Sequence, residues 1–478
     1  MKLLNLLKML EKDELKDFEK FLQSPFFKAS EQYLKFYQYL LKHHPAFDMD
    51  GKALEGAYQR CFGEAATSSS KLYNLLSGLA RQVESFLSVR ALLSPQRAGW
   101  KDLLLLQSLR QRDTGTYFKA KVQATLEELS ALPTKRSEDF LLLQLLHQEL
   151  YFHPGTVKHR EHPPSLKLAL EHLDLYFCIS KLRYAAEMKA RERILGTPYE
   201  LPMLPSVMEK TASPALIESQ PLAAVYRQLV KLYLDGPGEA AFSEMKQLFV
   251  ENHGRLPKED QRYLLRHLIN YGADLSAQGS HVFKDLFLLY QFAIANDMLL
   301  EDNAITGITF LNIVTIAAAC GEYGWAGRFI LDFAPYLEQS QRLATVNFAK
   351  AHLLYNQGNL DEAQLCLTPE IFTMPPFDIT ARGLMLKILL DRYLYDGRDF
   401  EYMKSFMQAF EKYVQSKKLG AGKKEAQLNF VKFVRRLANI KFEKVTITPA
   451  QKLALYEKLE QRKPIVSKSW LSKKIEEM

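Results

Sequence analysis

Three histidines, His153, His159 and His162, make up the only close histidine trio in the chain, and imidazoles at such spacing suit a transition metal. They share a proline-flanked segment, 153–164, in which no acidic or thiol partner stands at metal-ligand spacing, so the segment reads as a break in the chain. A second candidate is Gly420-Ala-Gly-Lys-Lys424, which has the outline of a phosphate-binding loop. It lacks two requirements: Lys417 occupies the first glycine position, and Lys424 stands where Ser or Thr must hold Mg²⁺. A flexible interhelical turn is the expectation there. The acidic pairs Glu301-Asp302 and Asp361-Glu362 are expected at helix starts, where carboxylates complement the helix dipole without acid–base work. No nucleophile elbow, His-Glu-x-x-His helix or dinucleotide fingerprint occurs. The four cysteines, Cys61, Cys178, Cys320 and Cys366, lie far apart with no Cys-x-x-Cys spacing, which suits buried thiols in a reducing compartment. The residues therefore point away from catalysis, and no cofactor is expected.

The elements that must position these side chains are helices. Leucine, phenylalanine and tyrosine recur at three- and four-residue spacing from the first residues onward, with expected helices over 3–22, from Ser30 to before Pro45, and over 52–62, 69–93, 99–112, 114–131 and 137–152. Ser24-Pro25 ends the first, because the residue before proline avoids the α region. The break at 153–164 is followed by a helical pattern over 165–195, and then by a second proline-rich stretch, 196–214, expected to run extended across the surface. Glu425 to Lys441 forms a further amphipathic helix. Thr448-Pro449-Ala-Gln451 has the form of a capped helix start, and Trp470 to Ile475 is one apolar turn able to dock on what precedes it.

In the second half a glycine recurs with a small or bulky residue five positions on, at Gly236/Ala241, Gly272/Ala277, Gly321/Ala326, Gly358/Ala363 and Gly397/Tyr402. The intervals between the glycines are 36, 49, 37 and 39 residues, each the length of a helical hairpin with its connections. The run Ala351-His-Leu-Leu-Tyr-Asn-Gln-Gly358-Asn-Leu-Asp-Glu-Ala363 resembles the tetratricopeptide repeat. In that family a glycine ends the first helix in the left-handed conformation, and an alanine lets the second helix close on it. The resemblance implies an irregular, all-α solenoid of hairpins. The whole chain also resembles a group of bacterial proteins of Bacteroidota type with no assigned activity. The matching segments are Phe18 to Phe27, Leu173 to Arg183, Asn312-Ile-Val314 with Gly321 to Trp325, Asn429 to Phe433, and Trp470-Leu471. The expected organisation is an N-terminal helical array over 1–152, a proline-bounded connector over 153–214, a tetratricopeptide-like array over 215–415 and a basic C-terminal helical cap over 416–478.

Composition narrows the partner classes. Apolar residues make up 47% of the 478 and charged residues 25%, which suits a large folded core and not wholesale disorder. No apolar run approaches the roughly 18 residues of a membrane span. The amino terminus mixes charge into its apolar stretch, so no secretory signal and a cytoplasmic location are expected. Residues 417–478 carry sixteen Lys or Arg against six Glu, whereas the whole chain is +8 and residues 1–416 are therefore at −2.

The function expected is a non-enzymatic binding or scaffolding module that holds a peptide or protein partner in the groove of the array. Asn312, Arg328, Asn347, Lys350 and Tyr355 are the candidate groove residues. The alternative is a nucleic-acid-associated protein using the basic segment 417–478, with Lys432, Arg435, Arg436 and Lys441 as its candidate patch. An enzyme with an unrecognised site is third.

Overall fold

Helical spacing of apolar residues is answered by helices throughout. The structure is a computed structural model that describes all residues except 1, 28, 64–68, 113–114, 155–163, 237, 278–279 and 444–446. Among the described residues there are twenty-four α-helices and no strand. The one bridge among them, Glu301 to Ala304, closes a turn. No helix of the described residues is long and apolar enough to cross a membrane.

The chain divides into two compact units, residues 1–132 with 138–174 and residues 133–137 with 175–478. The division at 174/175 falls inside the 32-residue helix Pro164–Leu195, not at the expected boundary of 153. No proline or glycine interrupts that helix after Pro164.

In the first unit, Lys12–Gln23 ends where Ser24-Pro25 requires, and Phe27 turns back to stack on Phe21 at 4.1 Å. Phe18 meets the edge of Tyr37 at 4.9 Å, and the Tyr37 hydroxyl donates to the Leu15 carbonyl at 2.8 Å, so a buried phenol is both packed and satisfied. Ser30 caps Glu31–Leu41 by accepting from the Gln32 N–H. His153 is buried and stacks on Phe118 at 4.3 Å, whereas His159 and His162 lie outside the described residues.

In the second unit, helices pack on their sequence neighbours from Pro221–Leu234 onward. Pro221–Leu234 meets Glu239–Asn252, which meets Lys258–Ala277, which meets Phe283–Ala295, which meets Gly307–Ala319. Beyond it, Tyr323–Phe333 lies against both Gly307–Ala319 and Arg342–Asn356, and Leu360–Leu365 lies between Arg342–Asn356 and Asp378–Asp396. Helices two apart also touch: Gly307–Ala319 with Arg342–Asn356, Arg342–Asn356 with Asp378–Asp396, and Asp378–Asp396 with Ala421–Phe442. The expected extended stretch 196–214 instead contains the helix Leu204–Lys210, with Pro205 in its first turn.

The glycines divide into two kinds. Gly236, Gly321, Gly358 and Gly397 have φ between 79° and 85°, the left-handed conformation that terminates a helix at little steric cost to glycine. At Gly358 the closure is complete: its N–H donates to the Tyr355 carbonyl and that of Asn359 to the Leu354 carbonyl, covering two carbonyls the helix leaves open. Gly272 is different. It lies within Lys258–Ala277, and a Cβ there would stand 2.6 Å from Leu286 Cδ2 and 2.8 Å from Phe242 Cζ. It is a close-approach glycine and not a turn glycine, and the turn glycines themselves are spaced 85, 37 and 39 residues apart.

Two other local expectations are corrected. Glu301 and Asp302 lie in a tight turn ahead of Gly307–Ala319 and not at a helix start. The Gly420 segment is not a free turn, because the helix Ala421–Phe442 begins immediately after Gly420 and takes Lys423 and Lys424 into its first turn.

Candidate functional site

Three helices of the second unit bring together a polar cluster under a single indole. Arg342–Asn356 contributes His352 and Tyr355, three residues apart and so on one face. Asp378–Asp396 contributes Lys387 and Asp391, and the terminal helix Lys468–Glu477 contributes Trp470 and Lys474, each pair four residues apart. The position of Tyr355 is fixed by the turn that follows it, since its own carbonyl accepts from Gly358.

The polar groups form a chain. Trp470 Nε1 donates to the Tyr355 hydroxyl at 2.6 Å, that hydroxyl donates to Asp391 Oδ2 at 2.6 Å, and Lys474 Nζ lies 2.9 Å from Asp391 Oδ1. The Lys474 and Asp391 side chains are each only 13% exposed, which makes this ion pair more than a surface contact. Beneath the indole, Lys387 Nζ lies 5.3 Å from the ring centroid, and Phe430 of Ala421–Phe442 lies 6.0 Å from it. Leu471 and Ile475 are fully buried, so the terminal helix is seated by apolar as well as polar contacts.

Burial sets the electrostatics. Burial raises the Asp391 carboxyl above its ordinary value, and the hydrogen bonds from Tyr355 and Lys474 do not fully offset it. Burial works against the charge of Lys474, but its bonds to Glu477 and Asp391 outweigh that and hold the ammonium above the ordinary lysine value. Lys387 is pushed down to about 8 by burial, against the pull of Asp391. Burial together with the Lys387 charge pushes His352 down to about 3, so its imidazole is neutral at pH 7. The Tyr355 phenol is raised, first by burial and then by Asp391, and keeps its proton.

An open cleft of about 1150 Å³ adjoins this cluster. It is lined by the carboxyl ends of successive helices, at Ala319, Tyr355 and Leu394, by Lys441, and by Trp470 and Lys473 of the terminal helix. Of the five expected groove residues only Tyr355 lines it. Asn312 is exposed on Gly307–Ala319, Arg328 is exposed on Tyr323–Phe333, and Lys350 and the half-buried Asn347 lie on Arg342–Asn356.

The expected basic patch is likewise divided. Lys432 and Arg436 are exposed, Arg435 donates to Glu411 at 2.7 Å, and Lys441 faces the cleft. Elsewhere in the segment Lys417 lies 3.1 Å from Asp378, and Lys468 lies 2.5 Å from Glu460. Part of the basic surplus is therefore neutralised at short range.

Asp391, Lys387, His352 and Lys474 were not among the residues expected from sequence. The available signal was the pairing of Lys387 with Asp391 and of Trp470 with Lys474 at four-residue spacing, which puts each pair on one helix face. No protein-family model, curated protein or solved structure matches this chain.

Proposed function

We propose that residues 175–478 form an irregular α-solenoid related to tetratricopeptide repeats and act as a binding module for a protein partner. The hydroxyl contacts support the repeat reading. Tyr226 donates to Asp260 across 34 positions, Tyr233 meets His267 across 34, and Tyr355 donates to Asp391 across 36. Contacts at one hairpin length tie equivalent points of successive hairpins, as stacking of repeats requires. The left-handed glycines at 321, 358 and 397 are spaced by 37 and 39 residues, close to the same length.

The observation that carries the binding reading is the seat of the terminal helix. A ten-residue amphipathic segment lies on the array with Trp470 on Tyr355 and Lys474 on Asp391, which is the helix-on-groove mode of peptide recognition performed within one chain. In the cluster itself, the Tyr355 hydroxyl accepts from Trp470 and donates to Asp391, so both of its functions are committed to docking and not to acid–base work. The four basic residues proposed as a nucleic-acid patch include one, Arg435, already paired with Glu411. Protein binding is therefore favoured over nucleic acid.

The test is affinity capture with the full chain, with and without nuclease, followed by Leu394→Glu, Lys441→Glu and Lys473→Glu together, three residues that line the cleft. The reading expects a protein that survives nuclease and whose capture is weakened by the triple variant. Recovery of material that nuclease removes would overturn it.

A further inference from the structure

We propose that the terminal helix Lys468–Glu477 is a displaceable internal ligand, and that the partner is a helical segment presenting an aromatic residue and, one turn later, a basic residue. The proposal rests on the reading of the array as a protein-binding module and names the chemistry of its partner.

The receiving side is assembled without the terminal helix. Tyr355 and Asp391 belong to Arg342–Asn356 and Asp378–Asp396, and they are already joined by the 2.6 Å hydroxyl-to-carboxylate bond. With the terminal helix away, that carboxylate keeps its bond from Tyr355 and loses its ion-pair partner, Lys474 at 2.9 Å. The Tyr355 oxygen also loses its donor, Trp470. A half-buried carboxylate and an open phenol oxygen, met by residues four apart on the incoming helix, specify an N–H donor on an aromatic ring followed by a cation. Leu471 and Ile475 of the terminal helix are fully buried, so the incoming segment must also carry an apolar face.

The cleft also runs past the terminal helix to Ala319, at the carboxyl end of Gly307–Ala319, so a longer segment has additional surface to occupy. The internal segment holds its place through its tether. A ligand on a short linker acts at an effective concentration on the order of millimolar, so a partner displaces it only by exceeding that.

The probe is a labelled synthetic peptide of residues 463–478, titrated into the full chain and into full-length Trp470→Ala/Lys474→Ala, whose fold is checked by circular dichroism. The double variant should bind the peptide at least about tenfold more tightly than the unaltered chain. Adding Asp391→Asn to it should abolish that gain. A folded double variant that does not bind, or that binds equally well once Asp391→Asn is added, overturns the proposal. So does self-association of the unaltered chain that Trp470→Ala/Lys474→Ala abolishes, read by analytical ultracentrifugation.

Amide exchange of the unaltered chain keeps the question open to refutation if the double variant does not fold. Amides of 468–477 should exchange at least about tenfold faster than those of 342–356 and 378–396, whereas equal protection would make the helix a permanent cap and overturn the proposal. If a captured protein partner survives nuclease but the peptide does not compete with it, this inference falls while the binding-module reading stands. If no protein is captured, that reading fails independently.

Discussion

The indole N–H of Trp470 donates to the phenol oxygen of Tyr355 at 2.6 Å, joining two residues 115 positions apart. Replacing Tyr355 by Phe keeps the ring and removes the oxygen through which both Trp470 and Asp391 are reached. The expected cost is about 1–2 kcal/mol, because two buried partners lose a bond at once. Amide exchange localises it: protection should fall first in 468–477, whereas a uniform loss over the second unit would contradict the assignment.

Lys474 and Asp391 should be energetically coupled. Lys474→Met keeps the aliphatic stem but leaves a buried carboxylate without its cation, at a cost of about 3 kcal/mol. Adding Asp391→Asn should recover part of the loss, with a coupling of about 1–2 kcal/mol in a double-mutant cycle of urea denaturation. Additive losses would mean that the 2.9 Å contact carries no net energy.

The two kinds of glycine predict two different failures. Gly358→Ala has open space around its new Cβ, so its cost is the left-handed backbone alone, about 1–2 kcal/mol, and Gly358→Asn should recover much of it. Gly272→Ala places a Cβ against Leu286 and Phe242 and should cost about 1–3 kcal/mol by overpacking, with Gly272→Asn worse still. Thermal denaturation of the four variants distinguishes the cases by whether Asn rescues.

Much of the helical layout was legible in the sequence because it depends on local spacing. Helix 69–93 was expected and observed at those bounds, and the Thr448/Gln451 capping box forms with Gln451 Oε1 accepting from the Thr448 N–H at 2.9 Å. The turn glycines were legible too, since a left-handed residue closing a helix is a local demand. Gly272 was not, because close approach to Phe242 and Leu286 is a property of neighbours 30 and 14 positions away. The site was half-legible. Tyr355 was expected at the groove and Trp470 at the cap, but their contact crosses 115 positions and no periodicity encodes it. Asp391 was hidden for the same reason, since its role depends on a lysine contributed by the terminal helix.

Acid should destabilise the chain through the buried His147 and His267 and the half-buried His352. His147 and His267 are pushed down to about 4 and His352 to about 3, in each case first by burial. Their folded values lie below the ordinary 6.5. The neutral forms therefore contribute stability that is present above pH 6.5 and is lost as pH falls through 4, on the order of 1–3 kcal/mol each. His267→Gln retains an acceptor for the Tyr233 hydroxyl, which lies 2.8 Å from His267 Nδ1, and it should shift the acid limb to lower pH with little change at pH 7. Urea midpoints measured from pH 7.5 to 4 check this. An unchanged acid limb would remove His267 from the account.

The central claim is that the second unit binds a protein and not nucleic acid, and capture with the full chain before and after nuclease tests it most directly. The account predicts a protein partner that remains after nuclease and is weakened by the triple variant at Leu394, Lys441 and Lys473. It is contradicted if the bound material disappears with nuclease and its affinity falls with salt at a slope of about −0.9 per phosphate contacted.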